Sequence, residues 1–237
     1  MTPRNFRLTQ GILSLVAMIS LTTGAALAQQ VRFPSPSSGA VVKQTIGITD
    51  VTITYSRPGV KGREIWGKLV PFNELWRTGA NAATVMEVSD EVMIEGQKLP
   101  AGKYSFFTIP AQTGDWTLVV NKNPNLGGTA GYKQEEDVFR AKVKAQMMPT
   151  SREWLEFSFE DLSDSAATMV LYWERLRLPV KMTVNTNDLA FAKARTAVSA
   201  GQGANIGFAN YALQTNSNLD EALKMIDASI AVQETYR

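Results

Sequence analysis

The 237-residue chain contains no cysteine and no histidine. Without cysteine, the protein cannot form disulfides, thiolate zinc sites or iron–sulfur clusters, and it has no thiol nucleophile. Without histidine, it has no imidazole general base and no Ser-His-Asp arrangement. A metal site would have to use oxygen ligands, which suits calcium or magnesium. These absences leave binding, carboxylate chemistry and structural roles as the open functions.

The chain also has no large excess of positive or negative charge. The chain carries 24 Lys and Arg against 22 Asp and Glu, which gives a formal net charge of +2. No run of basic residues is longer than a pair, so nucleic acid is not predicted as a partner. Apolar residues make up 44% of the chain and charged residues 19%, which is typical of a globular protein with a core and not of a disordered chain.

The first 28 residues have the pattern of a signal peptide. Arg4 and Arg7 precede an apolar run from Gly11 to Leu21, and Ala26 to Ala28 supply the small residues typical of a cleavage site. We therefore predict cleavage between Ala28 and Gln29 and a periplasmic or extracellular location. The apolar run is too short to span a membrane comfortably, so we predict no stable membrane span in the mature form. Loss of the segment would remove two arginines and leave 22 charges of each sign.

The middle of the chain has the pattern of an all-β domain. Residues 29–40 are rich in proline and serine and are predicted to be an extended lead-in. From residue 41 to residue 185, short alternating runs are separated by turn signals such as Pro58-Gly59 and Glu95-Gly96. Residues 137–148 alternate strictly, which predicts one strand with a solvent-facing side. About nine short strands predict an antiparallel β-sandwich of jelly-roll or Greek-key type, with a partly open barrel as the alternative.

Residues 186–237 are predicted to form a small helical segment after the sandwich. Asp188 is a candidate cap for a first helix, and Gly201 and Gly203 end it. Asn218 begins a third helix, with Glu221 at the capping-box position. The apolar stripe of that helix is formed by Ala222, Leu223, Ile226 and Ile230. Tyr211 followed by Glu221-Ala222-Leu223 is weakly similar to half of a tetratricopeptide repeat.

The stretch from Trp66 to Asn81 is the strongest candidate for a functional loop. Glycine and proline interrupt it, so it is neither a regular strand nor a helix. Two interpretations are open: its tryptophans close one end of the core, or they form the floor of a binding site. In the second interpretation, guanidinium groups suit carboxylates or sugar hydroxyls, and indole faces suit a sugar ring or a cation. The candidate ligand-binding residues are Arg57, Arg63, Trp66, Trp76, Arg77 and Asn81, with Lys61 as a further donor.

Two other functions compete with a binding module. A carboxylate-based hydrolase or lyase acting on saccharides requires two acids across a cleft. Its candidates are Glu64, Glu74, Glu87, Glu135, Glu136 and Asp137. An interaction protein acting through the helical tail is the other alternative. The acids Glu160, Asp161 and Asp164 do not match a calcium loop and are interpreted as an ordinary turn, so neither a metal nor a cofactor is predicted.

Several motifs in the β region occur together in one family. They are Tyr55-Ser56-Arg57-Pro58, Lys61 to Gly67, Leu69 to Phe72, Trp76 to Asn81, Leu99 to Ser105 and Phe107 to Pro110. Over residues 31–186 the chain resembles a family of exported bacterial proteins catalogued as domain of unknown function 2911, although Phe72 stands where the family pattern has tyrosine. The resemblance implies an exported single-domain β protein, sometimes followed by helical repeats, and implies no activity, substrate or cofactor. Our prediction is a non-catalytic module that binds a small molecule, a saccharide or a protein.

Overall fold

The computed structural model describes residues 33–235, and it describes side chains up to residue 230. The predicted signal peptide therefore lies outside the described residues. In the part of the chain that is described, no helix is both long enough and apolar enough to cross a membrane.

Residues 33–235 contain ten strands in two antiparallel sheets. The strands are β1 (Ser38–Ile46), β2 (Thr49–Arg57), β3 (Thr84–Val88), β4 (Val92–Ile94), β5 (Gln97–Leu99), β6 (Gly102–Ile109), β7 (Trp116–Asn121), β8 (Asp137–Val143), β9 (Gln146–Glu160) and β10 (Ala166–Thr183). One sheet has the order β1-β2-β3-β6-β7-β8, and the other has the order β5-β4-β10-β9. The predicted mainly β, sandwich-like fold is confirmed.

Alternation of apolar and polar residues builds the core between the sheets. In β2, Val51, Ile53 and Tyr55 are buried and the residues between them are more exposed. Successive side chains on a strand point to opposite faces, so one face of each strand enters the core. The interior strand β10 tolerates Pro179. The part of β10 that pairs with β9 ends at Arg177, and the part that pairs with β4 begins after Pro179. Its missing N–H therefore removes no ladder hydrogen bond.

The structure differs from the sequence-based prediction around β9. Residues 137–148 form the end of one strand and the start of another, because Lys144 and Ala145 connect β8 to β9. Alternation continues through this connection, and no glycine or proline marks the reversal. The pairing of β9 with β10 is irregular. Glu174 pairs with Arg152 and Leu176 pairs with Met147, so between these two pairs β9 has more residues than β10. β9 therefore bulges opposite β10, which continues as one strand from Ala166 to Thr183.

Three helices follow the sheets: α1 (Thr186–Ser199), α2 (Asn205–Thr215) and α3 (Leu219–Thr235). The cap of α1 is Asn185, whose side chain accepts a hydrogen bond from the Asp188 N–H, so Asp188 lies in the first turn and is not the cap. Both carboxylate oxygens of Glu221 accept hydrogen bonds from Arg195, at 2.7 and 2.6 Å. Glu221 therefore joins α3 to α1 instead of forming the predicted capping box.

The predicted apolar stripe of α3 is only partly buried. Ala222 is 5% exposed and belongs to a small cluster with Phe191, Phe208 and Ala212. Leu223 is 62% exposed. The buried cluster shows that the three helices pack on one another through a core of their own.

The helical segment is attached to the sandwich at two places. In the β1–β2 turn, Gly47 (φ +59°) lies against Thr186, whose hydroxyl donates a hydrogen bond to the Asp164 carbonyl. Lys193 of α1 forms an ion pair with Asp90, at 2.8 Å, and the Asp90 side chain is only 11% exposed. These contacts fix the start of α1 on the β-sandwich.

Candidate functional site

The two tryptophans of the predicted loop lie in a four-tryptophan cluster at the core. The ring centroids of Trp66 and Trp76 are 5.7 Å apart, Trp66 is 5.0 Å from Trp116, and Trp76 stacks on Trp173 at 5.8 Å. Trp116 and Trp173 are buried, whereas Trp66 and Trp76 are half-buried. Each such aromatic pair contributes about 0.5–1.5 kcal/mol beyond its buried area. This geometry supports the interpretation in which the loop closes the core.

Two of the predicted arginines donate hydrogen bonds to the backbone. Arg57 Nε donates to the Leu155 carbonyl at 2.8 Å, and its Nη2 lies 3.6 Å from the Glu156 carboxylate. Arg63 donates to the carbonyls of residues 59 and 60, at 2.6 and 3.1 Å. These guanidinium groups hold the end of β2 and the loop that follows it.

Asn81 and Arg77 complete the predicted set. The Asn81 amide donates to the Ser37 carbonyl and to Ser56 Oγ, both at 3.2 Å. Arg77 is half-buried, and its buried Nε has no hydrogen-bond partner. Its Nη1 lies so close to Gly128 that a Cβ there would be 2.9 Å away. The six residues thus have contacts inside the fold, and as a ligand site they remain a prediction.

Most of the predicted catalytic acids have structural contacts or lie on the surface, whereas Glu136 is half-buried and its buried Oε2 has no hydrogen-bond partner. Glu87 forms an ion pair with Lys103 at 3.1 Å. Asp137 accepts hydrogen bonds from Tyr132, Arg140 and Asn121, at 2.6, 2.8 and 3.0 Å, and so holds the long loop before β8. None of the six candidate acids lines the charged cleft described next, which is formed by other residues.

We call this site the β8–β10 cleft. It is open to solvent and has a volume of about 430 Å³. Residues of β8, of the β8–β9 connection, of the start of β9, of β10 and of three nearby turns line it. The lining side chains are Glu95, Asp115, Lys142, Val143, Lys144, Gln146, Asp161, Thr168, Arg177, Pro179 and Lys181. A volume of this size lies in the range of small-molecule sites, which is about 300–1,000 Å³.

One wall of the β8–β10 cleft is fixed by a network around Arg177. The Arg177 guanidinium donates to Glu160 at 2.6 Å, to Gln146 at 2.8 Å and to Tyr172 Oη at 3.1 Å. Tyr172 Oη also donates a short hydrogen bond to Glu160, and the Arg152 guanidinium lies 3.9 Å from the centroid of the Tyr172 ring. Charge-assisted hydrogen bonds of this kind orient a side chain strongly, so Arg177 is held in one position.

The network shifts the pKa values of its members. The hydrogen bond from Tyr172, and after it the one from Arg177, lowers the pKa of Glu160 from its ordinary value of 4.5. Burial, and after it the hydrogen bond to Glu160, raises the pKa of Tyr172. Both shifts favour the charged carboxylate and the neutral phenol near neutral pH.

We expect the Glu160→Gln variant to lose less stability in acid than the wild type. A lowered pKa contributes stability above the unfolded-state pKa of about 4.5, and this contribution is lost as the pH falls through the folded-state pKa. The effect is about 1 kcal/mol or less, because the Glu160 side chain is 35% exposed and solvent screens it. Urea unfolding from about pH 7 to about pH 3 measures it. The exposed Glu135→Gln is the control, and identical pH profiles for wild type and Glu160→Gln would contradict this role.

Several charged side chains of the β8–β10 cleft have no ionic partner. Lys144, Lys181 and Asp115 make no side-chain hydrogen bond or ion pair within residues 33–230. Over the same residues, no ion pair within 4 Å joins a lysine of the cleft to a carboxylate of the cleft. The cleft therefore presents charges of both signs that are available to a ligand.

Apart from Arg177, the other charged side chains of the cleft make single hydrogen bonds. Asp161 accepts from Thr168 at 3.0 Å, and Lys142 donates to Thr117 at 2.9 Å. Within the described part of the chain, no three acidic side chains are grouped so that they could hold a metal ion. The chemistry that the cleft supports is hydrogen bonding and ion pairing with a polar ligand.

The fold and this site define a two-sheet β protein with an open, charged cleft and an attached helical segment. The model of a family described as protein of unknown function (DUF2911) matches residues 37–182, and the chain belongs to this family. The match includes the tryptophan cluster and all of the residues that line the cleft, and it ends before α1. Comparisons with curated proteins and with solved structures found no match.

Proposed function

We propose that this protein is an exported, non-catalytic binding module whose ligand occupies the β8–β10 cleft. The observation that carries the proposal is the set of unpartnered charges, Lys144, Lys181 and Asp115, beside a wall held rigid by Arg177. The charged groups of the cleft can therefore contact a ligand without first breaking ion pairs inside the protein.

The export part of the proposal rests on the sequence of the first 28 residues. Arg4, Arg7, the apolar run and the alanines before Gln29 support a cleaved leader. The mass of protein recovered from outside the cytoplasm should correspond to a chain that begins at Gln29. A secreted form that keeps the leader would contradict this part.

The Arg57–Asn81 residues are the competing location for the ligand. Arg57, Arg63 and Asn81 already donate hydrogen bonds to carbonyl or hydroxyl oxygens of the protein. A ligand of these three residues would have to replace these bonds, and the unpartnered Arg77 Nε and Trp66 Nε1 are buried, whereas the exposed Lys144 and Lys181 have no such bonds to lose. This difference favours the β8–β10 cleft.

A thermal-shift screen of amino acids, peptides, organic acids and saccharides tests the proposal. At a concentration of about 100 times Kd, a ligand contributes about 2.7 kcal/mol, or about 5–10 °C in Tm for a chain of this size. We expect the stabilising compounds to lose their effect on the variant Lys144→Glu/Lys181→Glu. They should keep their effect on Arg77→Ala and on the matched variant Lys122→Glu/Lys133→Glu, whose lysines are exposed outside the cleft.

Two results would contradict the proposed function. The first is a screen in which no compound raises the Tm of the wild type. The second is a stabilising compound whose effect survives in Lys144→Glu/Lys181→Glu and disappears in Arg77→Ala, which would place the ligand at the tryptophan loop.

A further inference from the structure

The cationic groups of the β8–β10 cleft are suited to an anionic group of the ligand. Lys144 lies on the β8–β9 connection and Lys181 on β10, and both side chains are exposed and unpartnered. Arg177, by contrast, directs its donors to Glu160 and its neighbours. The two lysines are therefore the groups that a ligand carboxylate can contact.

The acidic groups of the same cleft are suited to a cation. Asp115 is exposed and unpartnered. Glu95 accepts one hydrogen bond through Oε1, from the backbone N–H of Lys181 at 2.6 Å, and its other carboxylate oxygen has no hydrogen bond. The backbone N–H of Glu95 in turn donates to the Lys181 carbonyl at 3.0 Å. These bonds place an acceptor for a ligand ammonium group next to one of the lysines.

The lining of the cleft argues against a neutral saccharide. None of the side chains that line it is aromatic, so a sugar ring finds no flat surface for stacking. The nearest ring of the Arg177 network, Tyr172, is covered by Arg152 at 3.9 Å. A neutral ligand would remove charged groups from water without pairing them, which costs free energy.

We propose that the ligand is zwitterionic and carries a carboxylate and an ammonium group, as a short peptide with free termini does. The carboxylate contacts Lys144 and Lys181, and the ammonium group contacts Asp115 and Glu95. A cleft of about 430 Å³ is large enough for a ligand of this class. This inference rests on the proposed function, because it names the ligand class of the same site.

Isothermal titration of the mature protein with trialanine, N-acetyl-trialanine, trialanine amide and maltotriose tests the inference. We expect trialanine to bind tightest, and blocking either terminus should weaken binding about 3-fold to 10-fold, as the loss of one charge-assisted contact in a partly exposed site does. In Asp115→Asn the penalty for N-acetylation should shrink. In Lys144→Gln/Lys181→Gln the penalty for amidation should shrink, which is the coupling expected of groups in contact.

The outcomes separate the ligand class from the proposed function. Absence of trialanine binding, or equal affinity for trialanine and its blocked forms, overturns the inference that the ligand is zwitterionic. Maltotriose binding that is tighter than trialanine binding and is lost in Lys144→Gln/Lys181→Gln also overturns it, but keeps the cleft as the binding site. Terminal penalties that are unchanged in both cleft variants place the peptide elsewhere and overturn the inference.

Discussion

Replacement of Trp173 by alanine is expected to lower the free energy of unfolding by about 3 kcal/mol. Trp173 is 1% exposed and contacts both loop tryptophans, with ring centroids 5.7 Å from Trp66 and 5.8 Å from Trp76. A large buried ring leaves a cavity when it is truncated, and this typically costs about 3–5 kcal/mol. The lower value applies here because the Trp173 indole N–H is buried without a hydrogen-bond partner, so its removal offsets part of the loss.

Two variants control for the chemistry of tryptophan removal. Trp154→Ala removes an indole that is 43% exposed, and should cost less than about 1 kcal/mol. Trp173→Phe removes the unpaired N–H but keeps most of the packing, and should cost about 1 kcal/mol. Urea unfolding followed by far-ultraviolet circular dichroism measures all three, since the signal does not depend on tryptophan fluorescence. Equal losses for Trp173→Ala and Trp154→Ala would show that the tryptophan cluster is not a stabilising part of the core.

Replacement of Gly47 by alanine should also destabilise the protein by about 3 kcal/mol. Gly47 has a left-handed backbone (φ +59°), and a Cβ there would overlap with the Thr186 side chain and the Asp164 carbonyl. Because the carbonyl belongs to the backbone, side-chain rotation alone cannot relieve the overlap. For a chain of this size the loss corresponds to a fall in Tm of about 6–12 °C.

Gly62→Ala is the matched control for Gly47→Ala. Gly62 also has a left-handed backbone (φ +67°), but a Cβ added there would have no other atom within 4 Å. It should therefore show only the backbone strain, which is about 1 kcal/mol. Thermal unfolding of the two variants separates strain from close contact. If both variants lose the same stability, the β1–β2 turn does not contact the start of α1 as described.

The sheets were predictable because burial leaves a period of two in the sequence. In β2, Val51, Ile53 and Tyr55 show this period and are buried. The reversal at Lys144-Ala145 was missed because alternation runs through it and no turn residue marks it. The cap of α1 was misplaced because Asn185 and Asp188 both suit a cap, and only the hydrogen bond at 3.4 Å distinguishes them.

The β8–β10 cleft was not predictable from local sequence. Its lysines and Arg177 occur singly, on strand faces or in the β8–β9 connection, where charged residues are usually solvated, and they come from segments far apart in the chain. The fold brings them onto one surface, and the irregular pairing of β9 with β10 beside Arg177 is not visible in the sequence. The tryptophan loop was recognisable by its composition. Whether it closes the core or forms the floor of a binding site depends on its contacts, which the sequence does not show.

The central claim is that the ligand occupies the β8–β10 cleft, and amide chemical-shift mapping tests it most directly. The isotope-labelled mature protein is titrated with the compound that raises its Tm most. We predict the largest shifts at the backbone amides of Lys144, Thr168 and Lys181, which line the cleft. Largest shifts within Trp76 to Asn81, with the cleft amides unchanged, would contradict the account.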